Sequence, residues 1–299
     1  MSARPGDRVA LAIVISLVAI VLFDGMGLII KRLSADYTAP ELSAYRNTFG
    51  LLPSIIILLT SRAWHRSGRS LRMRQWKLAC ARGLIVTLAQ LMFYYSLASL
   101  PFATANTITY SNALFMTALA VPLLGEKVGM MRWGAVVLGF IGVVLVVGPT
   151  SDGFSWAAIA ALAAAFFYAL SGVSARMLDD DVPSPLANIY SACVATVGSV
   201  IFAFAMGGFS PIHNPSDIWW IAAMGGIGGM AVLCLVVAYR MTEQSNLAPF
   251  AYFGIPTAFA FGWIFFGEAP FGDLFPGALL IILGGLIIIW RERRLSSAG

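Results

Sequence analysis

Across 299 residues, hydrophobic side chains make up 59% and charged ones only 11%, with a mean hydropathy of +0.84. These values exclude an ordinary soluble domain and leave a chain built for lipid. The net charge of +5 is a property of segment ends rather than of one basic domain, so it calls for no nucleic-acid partner.

A membrane-spanning helix needs roughly 20 mostly apolar residues. On that scale ten spans are expected, at about 9–30, 39–60, 75–97, 101–123, 130–148, 154–176, 184–206, 217–239, 247–266 and 273–290. The segments are helix-like and often broken by Gly, unlike the roughly 10-residue alternating strands of a barrel. The first segment follows Arg4 and Arg8. Its apolar stretch exceeds that of a signal peptide and no A-x-A site follows, so it is expected to remain as a helix.

Polar and aromatic residues within the spans carry the information, because a lipid-facing surface need only be apolar. In span 1, Asp24 lies about two-thirds of the way across, and an ionisable group there is a functional candidate by default. It can bind a substrate ammonium, carry a coupling proton, pair with Arg46, or lie near the interface if the span ends early. Arg46 in span 2 is about seven residues, or about 10 Å of helix, from the span's start. It can snorkel that far or receive a carboxylate. Arg82 sits at similar depth in span 3.

Also in span 3, Gly83, Thr87, Gln90 and Tyr94 recur at helical spacing on one face. Asn106, Tyr110, Ala113 and Thr117 do so in span 4, and Tyr168 and Ser171 share a face of span 6. Span 9 presents Tyr252, Pro256, Phe259 and Trp263. Such faces suit a wet cavity for a partly apolar solute, and equally the small-and-polar packing that joins membrane helices. Pro256 removes a backbone hydrogen bond one turn after Tyr252 and is expected to kink span 9. Glu126 and Glu268 follow Gly125 and Gly267 at the ends of spans 4 and 9 and read as interfacial helix-capping residues. Asp179, Asp180 and Asp181 read as a solvated loop, and no metal is expected. Cys80, Cys193 and Cys234 lie far apart inside spans without a C-x-x-C pair, which fits small apolar side chains.

Of nineteen Lys and Arg, fifteen fall in the termini and the loops after even-numbered spans. Only Lys31 and Arg32 fall on the other side. The positive-inside rule then puts both termini in the cytoplasm.

The chain also repeats itself. Gly125-Glu126 falls on Gly267-Glu268 and Gly142 on Gly284 at an offset of 142 residues, and Phe23 to Arg32 matches Phe167 to Arg176 at 144. Spans 1–5 (residues 1–150) therefore correspond to spans 6–10 (residues 151–299), around a hinge segment near 148–153. Each copy holds an odd number of spans, so the second is inverted. The predicted fold class is an all-α membrane protein, ten transmembrane helices as two inverted five-helix repeats, an architecture of secondary transporters.

With its two Gly-Glu turns, the Gly-spaced spans 5 and 10, and Arg46, the chain resembles the drug/metabolite transporter superfamily. Within that superfamily it is similar to the two-repeat EamA family, over residues 9–291. The overall sequence looks most like the family's bacterial exporters of aromatic amino acids. The resemblance implies a multi-pass protein of the bacterial inner membrane. It would export small amphipathic metabolites, foremost aromatic or neutral amino acids, by alternating access, with the proton as a possible coupling ion and no cofactor. The substrate-binding residues are expected among Asp24, Arg46, Gln90, Tyr94, Asn106, Tyr110, Tyr168, Tyr252 and Phe259. Other readings are a channel, a lipid scramblase, or an exporter of another metabolite class. An intramembrane zinc enzyme is disfavoured, since His65 and His213 both lie in loops and no H-E-x-x-H is present.

Overall fold

The structure, a computed structural model, describes residues 5–66, 68–126, 128–148, 155–179, 182–242 and 244–296. Among these residues fourteen helices follow one another: α1 (Pro5–Leu33), α2 (Ala39–Leu59), α3 (Arg62–Arg66), α4 (Trp76–Ser99), α5 (Phe102–Thr109), α6 (Asn112–Leu124), α7 (Met130–Val147), α8 (Trp156–Ala175), α9 (Ser184–Ala205), α10 (Pro215–Met241), α11 (Gln244–Ala251), α12 (Gly254–Phe266), α13 (Phe271–Leu274) and α14 (Gly277–Ser296). Among the described residues, nine helical stretches are long and apolar enough to cross a membrane, and Gly277–Trp290 is a shorter apolar tenth. Every span expected from the sequence has its helix. Parts of the hinge segment and of the Asp179–Asp181 loop lie outside the described residues.

Two of the spans are broken, and at equivalent places. The fourth is α5 and α6 joined at Tyr110-Ser111, and the ninth is α11 and α12 joined at Tyr252-Phe253. At both joints the backbone ladder tightens to three-residue bonds: Ser111 N–H to the Ile108 carbonyl and Leu114 N–H to Ser111, then Phe253 N–H to Phe250 and Ile255 N–H to Tyr252. Pro256 supplies a cause in α12, where it sits in the first turn and needs no N–H partner. Leu114 occupies its place in α6, so the first joint forms without a proline.

Packing follows the repeat, and the two copies interleave. The first helix of each copy lies against the other copy: α1 on α10 and α8 on α4. Likewise α4 packs on α9 as α10 packs on α2, while α7 packs on α14 and α2 on α9 about the symmetry axis. The repeated glycines explain the α7–α14 contact. A Cβ on Gly142 would lie 2.6 Å from the Gly277 carbonyl oxygen, and one on Gly284 would lie 2.7 Å from that of Ala135. Any side chain at either position would force the two helices apart.

Gly125 and Gly267 close α6 and α12 at φ of 69° and 67°. For an L side chain such left-handed backbone costs roughly 1–2 kcal/mol. The next residue's N–H then reaches back into the helix, Glu126 to the Ala120 carbonyl at 3.3 Å and Glu268 to that of Gly262 at 3.1 Å. This Schellman closure holds each glutamate at a set place beside its helix end.

Candidate functional site

Both Tyr joints open onto one cavity of about 620 Å³. Phe23 of α1, Tyr110 and Tyr252 line its deep end. Ser16, Met116 and Thr117 line its walls, and Glu126, Arg132 and Arg176 its mouth. The Tyr252 hydroxyl is buried there with no hydrogen-bond partner among the described residues, as is that of Ser111 at the other joint. Buried polar atoms normally find partners, and here the Tyr252 hydroxyl instead packs against the backbone of Gly285 in α14, where a Cβ would lie 1.6 Å from it.

Beyond Phe23 the way is shut. Lys31 lies eight residues further along α1, about 12 Å of helix, and bonds Glu268 Oε1 at 2.6 Å and the Leu100 carbonyl at 2.8 Å. The other oxygen of Glu268 accepts the Phe102 N–H at 2.7 Å, and the Phe102 and Phe266 rings pack beneath at 6.2 Å. At the mouth, Arg176 bonds Glu126.

Both ion pairs join one copy to the other, and they are equivalent under the repeat. A cation at the end of a copy's first span meets the Gly-Glu carboxylate of the opposite copy. They differ in enclosure: the side chains of Lys31 and Glu268 are 12% and 27% exposed, those of Arg176 and Glu126 are 52% and 26%. A pair as open as the second contributes about 0–1 kcal/mol, whereas the first sits within a hydrogen-bonded seal.

Asp24 is 3% exposed and lies beside the cavity's closed end, next in sequence to Phe23. Its carboxylate accepts the Thr257 hydroxyl of α12. That hydroxyl also neighbours the Phe253 and Gly254 carbonyls at 3.2 and 3.1 Å and has one proton for three acceptors. An ionisable group so enclosed at this depth is expensive.

The sequence-derived candidates separate here. Tyr110 and Tyr252 line the cavity and Asp24 borders it. Gln90 lies elsewhere, bonded to Ser43 at 3.0 Å and Asn47 at 2.8 Å where α2, α4 and α9 meet. Tyr94 is buried in the apolar core with Ile30 and Leu42. Asn106 donates to the Phe102 carbonyl one turn back at 2.9 Å. Tyr168 stands edge-on to Phe93 at 6.4 Å, and Phe259 packs on Phe271 at 4.3 Å. Arg46 lines a second, smaller chamber. The cross-copy ion pairs were not anticipated, since both glutamates were read as helix caps. Their signal was nevertheless present in the alignment of Arg176 with Arg32, beside Lys31, and of Glu126 with Glu268.

A helical membrane bundle of two inverted repeats, with a cavity open at one end and broken helices at its floor, is the architecture of a secondary transporter. The EamA-like transporter family matches residues 10–148 and again residues 155–290. The chain belongs to that family and is a membrane transporter. It is 26% identical to a riboflavin transporter of Vibrio cholerae, over 90% of this chain and 92% of that one. It is 26% identical to an S-adenosylmethionine uptake transporter of Rickettsia bellii, over 72% and 73%. A third relative, the pseudopaline exporter of Pseudomonas aeruginosa, is 23% identical over 93% and 95%. A crystal structure matches with a TM-score of 0.65 at 20% identity, covering 96% of this chain and 99% of that one, a likeness of fold.

Proposed function

We propose that this protein carries small amphipathic metabolites through the cavity between Phe23, Tyr110 and Tyr252 by alternating access. The solute class is one with a planar or apolar part and a cationic amine or N–H donors, of which aromatic amino acids are the simplest members. The single observation that carries this reading is the juxtaposition at the cavity floor. Aromatic rings there can stack on a ring or hold a cation, for up to about 2 kcal/mol when desolvated. Asp24 beside them supplies the complementary charge. The names of the relatives, transporters of riboflavin and S-adenosylmethionine and an exporter of pseudopaline, support a small metabolite as solute without selecting one.

The arrangement corresponds to a state open at the mouth and closed at Lys31–Glu268. With both termini cytoplasmic, as the Lys and Arg distribution favours, the mouth faces the cytoplasm of a bacterial inner membrane, as an exporter's loading state would. No nucleotide-binding motif was found in the sequence, so the reading leaves the solute's own gradient or a proton taken by Asp24 to drive the cycle.

Counterflow in proteoliposomes tests this. Vesicles preloaded with unlabelled phenylalanine, tryptophan, riboflavin or S-adenosylmethionine are expected to accumulate the labelled form of at least one, saturably and with cross-inhibition among ring-bearing solutes. Equal leakage of every solute, with no saturation, would instead indicate a channel or no transport.

A further inference from the structure

Two arginines lie more than one turn inside the spans, Arg46 and Arg82, and neither meets a carboxylate among the described residues. Arg46 of α2 and Arg82 of α4 are both half-buried. Arg46 donates to its neighbour Asn47 at 3.1 Å, and Arg82 to the Ser171 carbonyl at 3.3 Å. A guanidinium carries five N–H donors, so most of those on each side chain remain without a protein acceptor there. The ion pairs among the described residues involve other groups.

Both arginines line one chamber of about 110 Å³, separate from the main cavity and walled by α2, α4, α9 and α10. The two helices that carry them run in opposite directions. Arg46 is seven residues from the start of α2 and Arg82 six from that of α4, so the two charges converge on the chamber from opposite ends of the bundle. The remaining polar groups are largely committed: Ser191 donates to backbone carbonyls at 2.8 and 3.1 Å, and Asn188 points at Ser54 at 3.4 Å. The repeat shows that only one copy supplies charge: at the offsets of 144 and 143 residues that bracket this region, Arg82 falls on Gly225 and Arg46 on Ile189 or Tyr190.

Positive charge at this depth costs several kcal/mol unless it is compensated, and the chain's described carboxylates are engaged elsewhere or lie outside the chamber. Water needs about 10–15 Å³ of such volume per molecule. The chamber therefore accepts a group of a few heavy atoms and is too small for a whole amphipathic metabolite. We propose that it is a binding site for one small oxyanion, of carboxylate or phosphate type, gripped by the forks of Arg46 and Arg82. This site stands independently of which solute the main cavity carries.

The test uses the full chain in neutral detergent, in a buffer whose only anion is the bulky sulfonate HEPES, with unfolding followed by tryptophan fluorescence. Acetate and inorganic phosphate are titrated in one arm, and phosphatidylglycerol against phosphatidylcholine in another. Binding to the folded state raises the melting temperature saturably. A rise of several degrees with acetate or phosphate, lost in Arg46→Gln and in Arg82→Gln, supports the site with a dissolved anion. A rise confined to phosphatidylglycerol and lost in the same variants supports it with a lipid phosphate as source. Should the Gln variants fail to fold, Arg46→Lys and Arg82→Lys keep the charge but lose the fork, and are expected to move the titration midpoint about tenfold higher. No saturable rise with any anion, or a rise that survives all the substitutions, overturns the proposal.

Discussion

Replacing Lys31 by alanine is expected to open the sealed end of the transporter. The substitution removes the cation from a seal in which Lys31 holds Glu268 and the Leu100 carbonyl, while Glu268 holds the Phe102 N–H. Hydrogen bonds to charged groups contribute about 1.5–3 kcal/mol. Losing that much from the state closed at this end moves the closed-to-open ratio roughly 10- to 100-fold. Maleimide labelling of Ala103→Cys, introduced into a chain whose native cysteines have been replaced, reads the change. Residue 103 is fully buried between the seal and the cavity, and its labelling from that end should accelerate by the same factor. The exchanged pair Lys31→Glu with Glu268→Lys restores the ion pair but neither backbone hydrogen bond, so it should bring labelling only part of the way back towards the slow rate. The related pair at the mouth gives a control: Arg176 is half exposed, and Arg176→Ala is expected to change the ratio by less than about fivefold. Equal effects of the two substitutions would refute the assignment of the seal to Lys31–Glu268.

The second large effect falls on Asp24. Asn at this position keeps the shape and the acceptor for Thr257 but removes the negative charge. Apparent affinity for a cationic solute is expected to drop about 10- to 100-fold, the value of one charged hydrogen bond in a dry site. A neutral ring-bearing solute such as riboflavin should lose much less. Counterflow of both solutes through the same Asp24→Asn preparation measures the split. Parallel losses for the two would show that Asp24 holds the fold rather than the solute.

The ten spans and the inversion could be read from the chain because both rest on bulk properties: 20-residue apolar runs and residues recurring at one offset. The helix joints were only half visible. Pro256 announces a disturbance in the ninth span, whereas Leu114 gives no such sign in the fourth, where the break at Tyr110-Ser111 forms without a proline. The candidate residues show the same limit. Tyr110 and Gln90 have identical patterns, polar groups at helical spacing inside a span, yet one faces the cavity and the other ties α4 to α2. Periodicity reports a face, and only the neighbouring helix decides whether that face is glued or wet. Glu126 and Glu268 read locally as helix caps, and Gly125 and Gly267 do close their helices. The ionic role arises only when the interleaved copies bring Arg176 and Lys31 to them.

The central claim is that one cavity is presented to the two sides in turn. Distances between paired spin labels test it most directly in a chain without its native cysteines, with labels at exposed Ala35 and Gly272 beside the sealed end or at Met130 and Met177 beside the mouth. Adding a transported solute is expected to lengthen the first distance and shorten the second in the same fraction of molecules. Distances that stay fixed at both ends while solute crosses the membrane, or that lengthen at both together, would contradict alternating access.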